Sequence, residues 1–315
     1  MNNQRRLFLS RLTFLAGVAA LNKPLNSVAA VAKRINTLHK AKSAIIVYHT
    51  NDLHGHIDAV YDKFGGLSQI ETLLKNEEIK GLLLDAGGFM NCANSIMRQK
   101  QVIARMNAIG YHAAAIGGEE LSNGQEYLAA LVPLMNFNLL NCNLQFDGKL
   151  AKLVKPYLII NSGNFRVGIT GVCHPVNGIN YNDAIESANR MARFLKADEK
   201  CDFVICLSHL GYEQEGDKAD NQKLAMQSEN IDMIIGGKNN KLLNNSMVLR
   251  NKMEHEVILA QTGWDGIMMG RTIINFDKTK QKNGIRTKHF IPGMRDNQSY
   301  AASFSALQLA TDTQI

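Results

Sequence analysis

Long apolar runs are scarce in this 315-residue chain. The most apolar stretch, residues 12–21, falls short of the about 20 residues that an ordinary membrane-spanning helix needs. Proline is rare, with five in all, and no long linker, internal repeat or low-complexity tract breaks the sequence, which argues against a string of tethered modules. The five cysteines are an odd number, and no two have a metal-knuckle spacing. Cys142, Cys173 and Cys206 lie in apolar, strand-like runs and read as buried small hydrophobes. The formal charge is +7, yet residues 1–30 hold Arg5, Arg6, Arg11 and Lys23 and no acid; without them it is +3. So mild a balance gives no ground for a nucleic-acid partner.

The N-terminus reads as a targeting segment rather than as part of a fold. Gln4-Arg5-Arg6-Leu7-Phe8-Leu9 resembles a twin-arginine export signal, and Ser27-Val28-Ala29-Ala30 offers a small-residue cleavage site. Residues 1–30 are therefore expected to be removed. The mature chain, starting near Val31, is expected in the periplasm or otherwise exported, without stable membrane insertion. An uncleaved anchor is the alternative. About 285 residues remain, enough for one large α/β domain.

Residues 31–42 are a polar, lysine-rich lead-in, expected to be mobile. Beyond them, apolar periodicity predicts strands at 44–49, 81–86, 111–116, 138–144, 202–207, 233–235, 256–260 and 269–276. Helices are predicted at 67–75, 101–109, 125–134 and 183–195. Asn161-Ser162-Gly163-Asn164 is a hairpin signal between strands at 154–160 and 166–172. Short strands alternating with helices argue for stacked sheets flanked by helices.

Five motifs recur at strand ends: Asn51-Asp52-Leu53-His54-Gly55-His56, Asp85-Ala86-Gly87-Gly88, Gly117-Gly118-Glu119-Glu120, Ser208-His209-Leu210-Gly211 and Gly236-Gly237-Lys238-Asn239-Asn240. Their order and spacing resemble the metallophosphoesterase (calcineurin-like) superfamily, most closely the catalytic domain of bacterial 5′-nucleotidases. That family reads D-x-H, G-D, G-N-H-[ED], S-H-x-G and G-G-H-x-H. The resemblance implies a four-layer α/β/β/α sandwich over residues 43–295, with a C-terminal tail at 296–315. It also implies metal-dependent hydrolysis of phosphoric monoesters by two ions that lower the pKa of a bridging water. The family's second domain, which grips the nucleoside, lies beyond the part that matches, so nucleotide specificity is not carried over.

The residues themselves depart from the pattern. Asp52 and His54 match ligands of the first metal, and their i, i+2 spacing would put both side chains on one side of an extended segment. His209 matches a ligand of the second. Gly88 stands at the bridging aspartate, Gly118 at the asparagine ligand, and Lys238 and Asn240 at the two histidines of the last motif. Glu119 replaces the catalytic histidine, so no catalytic position is intact. Asp85 reads as structural. Lys238 would set an ammonium near Asp52 and Glu119, replacing metal charge. With the N–H groups of Gly87, Gly88, Gly117, Gly118, Gly236 and Gly237 it would also suit an anion. Trp264 either lines the cleft or packs. His49, His112 and His174 carry no signal of their own, and His56 is the one histidine near enough to serve as a replacement ligand.

Two functions follow. The first is an exported, non-catalytic binding protein that has lost most metal ligands, expects no cofactor, and takes a protein partner or a small anionic ligand. The alternative is a hydrolase with a rebuilt site of at most one divalent metal, held by Asp52, His54 and His209 with His56 or Glu119.

Overall fold

The computed structural model describes residues 43–76, 81–91, 93, 95–238, 242, 246–294 and 299–312. The expected signal peptide and lead-in lie outside these residues, as do Cys92 and Asn240. Two six-stranded sheets carry the fold. The first runs β14 (Lys282–Phe290), β13 (Met269–Phe276), β1 (Ala44–Thr50), β2 (Leu82–Asp85), β3 (Ala113–Ala115) and β4 (Asn138–Leu140). The second runs β11 (Met247–Arg250), β12 (Glu256–Ala260), β10 (Met233–Gly236), β9 (Phe203–His209), β7 (Phe165–Cys173) and β6 (Tyr157–Ser162). A two-stranded ribbon pairs β5 (Leu144–Gln145) with β8 (Asn180–Tyr181).

Strand alternation explains the layering. In β1, Ile45 and Val47 join a cluster with Phe203, Ile205 and Leu207 of β9, between the sheets, while Tyr48 faces the other way. On that outer face of the first sheet pack helices α1 (Gly66–Asn76), α2 (Ile96–Ile109) and α4 (Gln125–Leu131); the short α3 (Gly118–Leu121) precedes the last of these. Outside the second sheet, α6 (Ala184–Ala197) and α7 (Asn221–Gln227) cover Val204 and Cys206; the short α5 (Leu150–Leu153) belongs with the helices of the first sheet's outer face. Strands buried on both faces read as unbroken apolar runs, as in Phe203–Leu207. This is the four-layer α/β/β/α sandwich that the motifs implied.

Local chemistry accounts for the departures from the periodicity. The expected strand at 138–144 divides because Asn141 Oδ1 accepts from the N–H groups of Asn143 and Leu144, a local turn that competes with the ladder. The helix expected at 101–109 starts at Ile96 because Ser95 Oγ accepts from Arg98 N–H. Strands β11 and β14 and helix α7 carried too little periodicity to be anticipated. The segment expected as a tail holds helix α8 (Tyr300–Asp312), whose Leu307 is buried with Tyr61, Phe64 and Trp264. Trp264 thus packs, donating from Nε1 to Tyr61 Oη at 2.9 Å. Cys142, Cys173, Cys201 and Cys206 are free thiols. Among the described residues, no helix is long and apolar enough to cross a membrane.

One close approach locks the first sheet. Gly270 of β13 lies between His49 of β1 and His289 of β14 in register. A Cβ at position 270 would sit 2.2 Å from His49 Nε2, because the His49 ring lies over the glycine. Burial, and after it the charge of His289, push the His49 imidazole down to about 3, so it stays neutral. Gly270→Ala should therefore lower stability by about 1–3 kcal/mol through overpacking. Gly284→Ala, whose Cβ meets nothing closer than 3.6 Å, should be neutral or slightly stabilising. Urea midpoints of the two variants check this.

Candidate functional site

Parallel pairing of β1, β2 and β3, and of β7, β9, β10 and β12, sends their following loops to one end of the sheets. All five motifs leave strands at this end, the usual location of sites in such sheets. The chain turns sharply after β1. Asp52 and His54 both have positive φ, 51° and 46°, so the segment is not extended as the i, i+2 argument assumed. Left-handed conformations at non-glycine residues are costly and are maintained by the surroundings. Here Asp52 N–H donates to Gly87 O, His54 N–H to Gly88 O, and Asp265 N–H to Asp52 O.

The two side chains consequently take different partners. Asp52 is buried; its carboxylate accepts from Asn51 Nδ2 at 2.8 Å and from the main-chain N–H of Lys238 at 2.9 and 3.0 Å. Asn51 is fixed in turn by Thr262, whose N–H and Oγ1 both donate to its Oδ1. His54 turns Nδ1 to Asp265 Oδ1, 2.7 Å away. Burial would lower the His54 pKa, but the bond to Asp265 and its charge outweigh it and the net direction is upward. His56 Nε2 lies 3.6 Å from the same Asp265 oxygen. Tyr61 Oη donates to the other one. Asp265 was not singled out from the sequence; its place just after Gln261-Thr262-Gly263-Trp264, beside the noticed tryptophan, was the available signal.

His209, at the end of β9, is fully buried. Its Nδ1 donates to Ala86 O at 3.0 Å and its Nε2 lies 3.2 Å from Glu119 Oε2 and 3.9 Å from Asp52 Oδ1. Burial alone would depress this imidazole; the hydrogen bond to Glu119 and the charges of Asp52 and Glu119 prevail and raise it to about 9. Burial would likewise raise Glu119, but the bond and charge of His209 hold it at about 2. The pair is thus imidazolium and carboxylate across neutral pH. The cation beside Asp52 and Glu119 is the His209 ring, and Lys238 reaches Asp52 through its main chain. Physically, the ring is wedged among glycines: a Cβ built at Gly117 would lie 2.6 Å from His209 Nε2, and one at Gly88 2.8 Å from Asp52 Oδ1 and 3.0 Å from His209 Cε1.

Four of the six glycine N–H groups expected to face an anion are committed internally. Gly88 and Gly117 N–H donate to Glu120 Oε2, Met90 N–H to Glu120 Oε1, Gly87 N–H to Asp85 Oδ1, and Gly237 N–H to Ser208 O. The reason is general: a buried N–H must be paired, and the nearest acceptors here are the chain's own carboxylates. Glu120, 1% exposed, stands at the acidic position that closes its motif and was not singled out from the sequence. Burial, and next the charge of Glu119, raise its pKa. Asp85 also accepts from Thr50 Oγ1 at 2.6 Å, and burial pushes its carboxyl up to about 8, in keeping with a structural role. Gly118 faces the His174 ring at 3.2 Å from a built Cβ. His174, dismissed on sequence, donates from Nδ1 to His209 O at 3.0 Å and so belongs to the site. Its pKa is lowered to about 4, chiefly by burial.

The chain is 28% identical over 229 residues to a snake venom 5′-nucleotidase of Gloydius brevicauda, covering 63% of this chain and 37% of that protein. It is 28% identical over 218 residues to the 5′-nucleotidase of Vibrio cholerae (61% and 39%), and 24% identical over 277 to the trifunctional nucleotide phosphoesterase YfkN of Bacillus subtilis (74% and 18%). No protein-family model matches. Among solved structures, a 5′-nucleotidase precursor from Thermus thermophilus superposes with a TM-score of 0.71 at 22% identity, over 86% of this chain and 59% of that one. The calcineurin-like phosphoesterase YfkN of Bacillus subtilis gives 0.64 at 21%, over 87% and 98%. This chain is a metallophosphoesterase-superfamily relative of the 5′-nucleotidases. It spans 37%, 18% and 39% of the lengths of the three curated relatives named.

The structure divides Asp52, His54 and His209, the residues expected as ligands, between two partner sets, one centred on His209 and one on Asp265. Of the positions expected to be degenerate, Gly88 lies against Asp52 and His209, Gly118 against His174, and Lys238 meets Asp52 through its main chain; Asn240 lies outside the described residues. Among the described residues, no group of three or more His, Cys, Asp or Glu is arranged to hold a metal ion. The His209–Glu119 pair has a pH signature in chelator-treated protein. His209, raised to about 9 from its ordinary 6.5, contributes stability below about pH 6.5 that is lost as pH rises through 9. Glu119, lowered to about 2, contributes stability above about pH 4.5 that is lost as pH falls through 2. Glu119→Gln should lower stability at pH 6 by about 1–3 kcal/mol, less than for a fully buried pair because Glu119 is 35% exposed. It should also flatten the alkaline limb of Tm against pH.

Proposed function

We propose that this protein is an exported, non-catalytic binding protein built on the 5′-nucleotidase-like phosphoesterase fold. The observation that carries the reading is the closure of the loops on Gly88. Asp52 Oδ1 and the His209 ring stand 2.8 and 3.0 Å from where any side chain at Gly88 would begin, leaving a bridging carboxylate no room. The residues present do not fit a pair of ions. Asp52 is already satisfied by two N–H donors, and His209 has partners at both nitrogens. Enzymes of this kind supply on the order of 20 kcal/mol against a very slow background hydrolysis. A carboxylate–imidazolium pair offers no water of lowered pKa with which to do so.

One observation favours a second reading, an active hydrolase with a single metal. His54 Nδ1 is held by the Asp265 carboxylate, the arrangement that orients metal-ligating imidazoles and leaves Nε2 for the ion. Elemental analysis separates the two. The mature protein should carry well under one Mn, Zn or Fe per chain and hydrolyse AMP and p-nitrophenyl phosphate no faster than buffer. Two metals per chain, or metal-dependent turnover, would overturn the non-catalytic reading. One metal lost on Asp52→Ala would establish the second.

Export rests on Arg5-Arg6, the short apolar run and Ala29-Ala30. Replacing both arginines by lysine should strand the precursor in the cytoplasm, and Edman sequencing of the exported protein should begin near Val31. Unchanged export in a strain lacking the twin-arginine translocase would refute that route.

A further inference from the structure

Beside the closed loops lies a separate cavity of about 430 Å³, between β7, β8, the N-terminal end of α6 and the loop after His209. His174 separates the two: its ring closes the inner site at Gly118 and forms part of the cavity wall. The cavity holds roughly a dozen waters' worth of volume at about 30 Å³ each, so it admits a small metabolite and no polymer.

Its wall holds two lysines, the exposed Lys218 and the half-buried Lys238, against one acid. Several lysines elsewhere sit against a carboxylate, as Lys196 does with Asp232 and Lys280 with Asp202. The ammonium groups of Lys218 and Lys238, both on this wall, have no hydrogen bond or ion pair among the described residues, and neither does the side-chain amide of Gln214. One acid lines the cavity, Asp183, and its carboxylate is engaged in capping its own helix through Glu186 N–H at 2.8 Å. Glu213, Glu215 and Asp217 of the neighbouring loop do not line it. Two free cations and a free amide donor facing one concave space are donors awaiting acceptors.

The chemistry of the donors selects the anion. Among the described residues no arginine lines the cavity, so they offer no planar fork that matches a carboxylate edge to edge. Ammonium groups act as point charges from separate directions and suit a tetrahedral oxyanion, whose oxygens diverge. Tyr181, 54% exposed at the rim, gives an apolar surface for the carbon skeleton that carries the anion. We propose that this cavity binds a small organic molecule through a tetrahedral oxyanion group, phosphoryl or sulfuryl, held by Lys218, Lys238 and Gln214. The proposal rests on the binding reading above and names its ligand class. It places the ligand outside the inner site and independent of any metal.

The test is calorimetric titration of the full mature protein, treated with chelator, at 0.15 M salt, with inorganic phosphate, sulfate and glycerol 3-phosphate as probes and glycerol and succinate as controls. Saturable one-to-one binding of a tetrahedral anion is expected, with neither control binding. A phosphate ester binding more tightly than sulfate identifies the phosphoryl source, and the reverse the sulfuryl one. Lys238→Met and Lys218→Met should each weaken binding about tenfold, whereas Lys152→Met, at an exposed position outside the cavity lining, should change nothing. Circular dichroism of each variant checks that the fold persists, and Lys→Arg at both positions should restore part of the affinity if charge is what acts. Absence of saturable binding by every probe, or binding indifferent to the double lysine variant, overturns the site while leaving the non-catalytic reading intact. Binding that appears only with added metal and vanishes in Asp52→Ala overturns both.

Discussion

One imidazole without solvent contact organises the end of the molecule where the motifs converge. His209 is fully buried, and a buried ring must pair both nitrogens or lose the hydrogen bonds it had in water. It does so between two polypeptide segments remote in sequence, Ala86 O on one side and Glu119 on the other. Its charge is matched by Asp52 and Glu119, and those carboxylates are tolerable in a buried place only because the cation is there. The surrounding loops approach so closely that positions 88 and 117 must lack side chains. Packing at crystal-like density then holds the arrangement with little room for alternatives.

Around that centre the carboxylates have separate tasks. Glu120 ties the loop after β2 to the loop after β3 by accepting from Gly88, Met90 and Gly117. Asp85 closes the turn that begins at Gly87. Asp265 joins the loop after β12 to the one after β1, gathering His54, His56 and Tyr61. Each of these bonds consumes a donor that a ligand would otherwise use. Lys218, Lys238 and Gln214 line the cavity beyond His174. His174 follows β7 and Lys238 follows β10, two strands that flank β9 in one sheet, so the cavity lies beside the end where the motifs converge.

Much of this architecture was legible in the sequence. Strands β1, β2, β3, β9 and β10 were apolar runs with a motif at the end of each, and the glycine pairs at 87–88, 117–118 and 236–237 marked the loops that converge. The misses have physical causes. Edge strand β11 alternates between half-buried and exposed positions and carries few of the residues that signal a core strand. The turn at Asn141 replaces ladder bonds with side-chain bonds, which periodicity does not register. Asp265, Glu120 and His174 act through partners as far as 211, 32 and 35 residues away, which local patterning does not register.

The sequence by itself determined most of the strands and helices and that they stack as sheets flanked by helices, because those outcomes follow from short-period patterning; the four-layer sandwich followed from the resemblance of the five motifs. It also determined that Gly88 and Gly118 offer no ligand. Tertiary structure alone decided what takes the place of the missing groups. Lys238 and Asp52 are 186 residues apart, and whether the lysine's ammonium or its main-chain N–H meets the carboxylate depends on how β10 enters the loop beyond Gly236. With φ of 64° at Lys238, the N–H faces Asp52 and the residue lines the cavity beyond, so the compensating cation is His209.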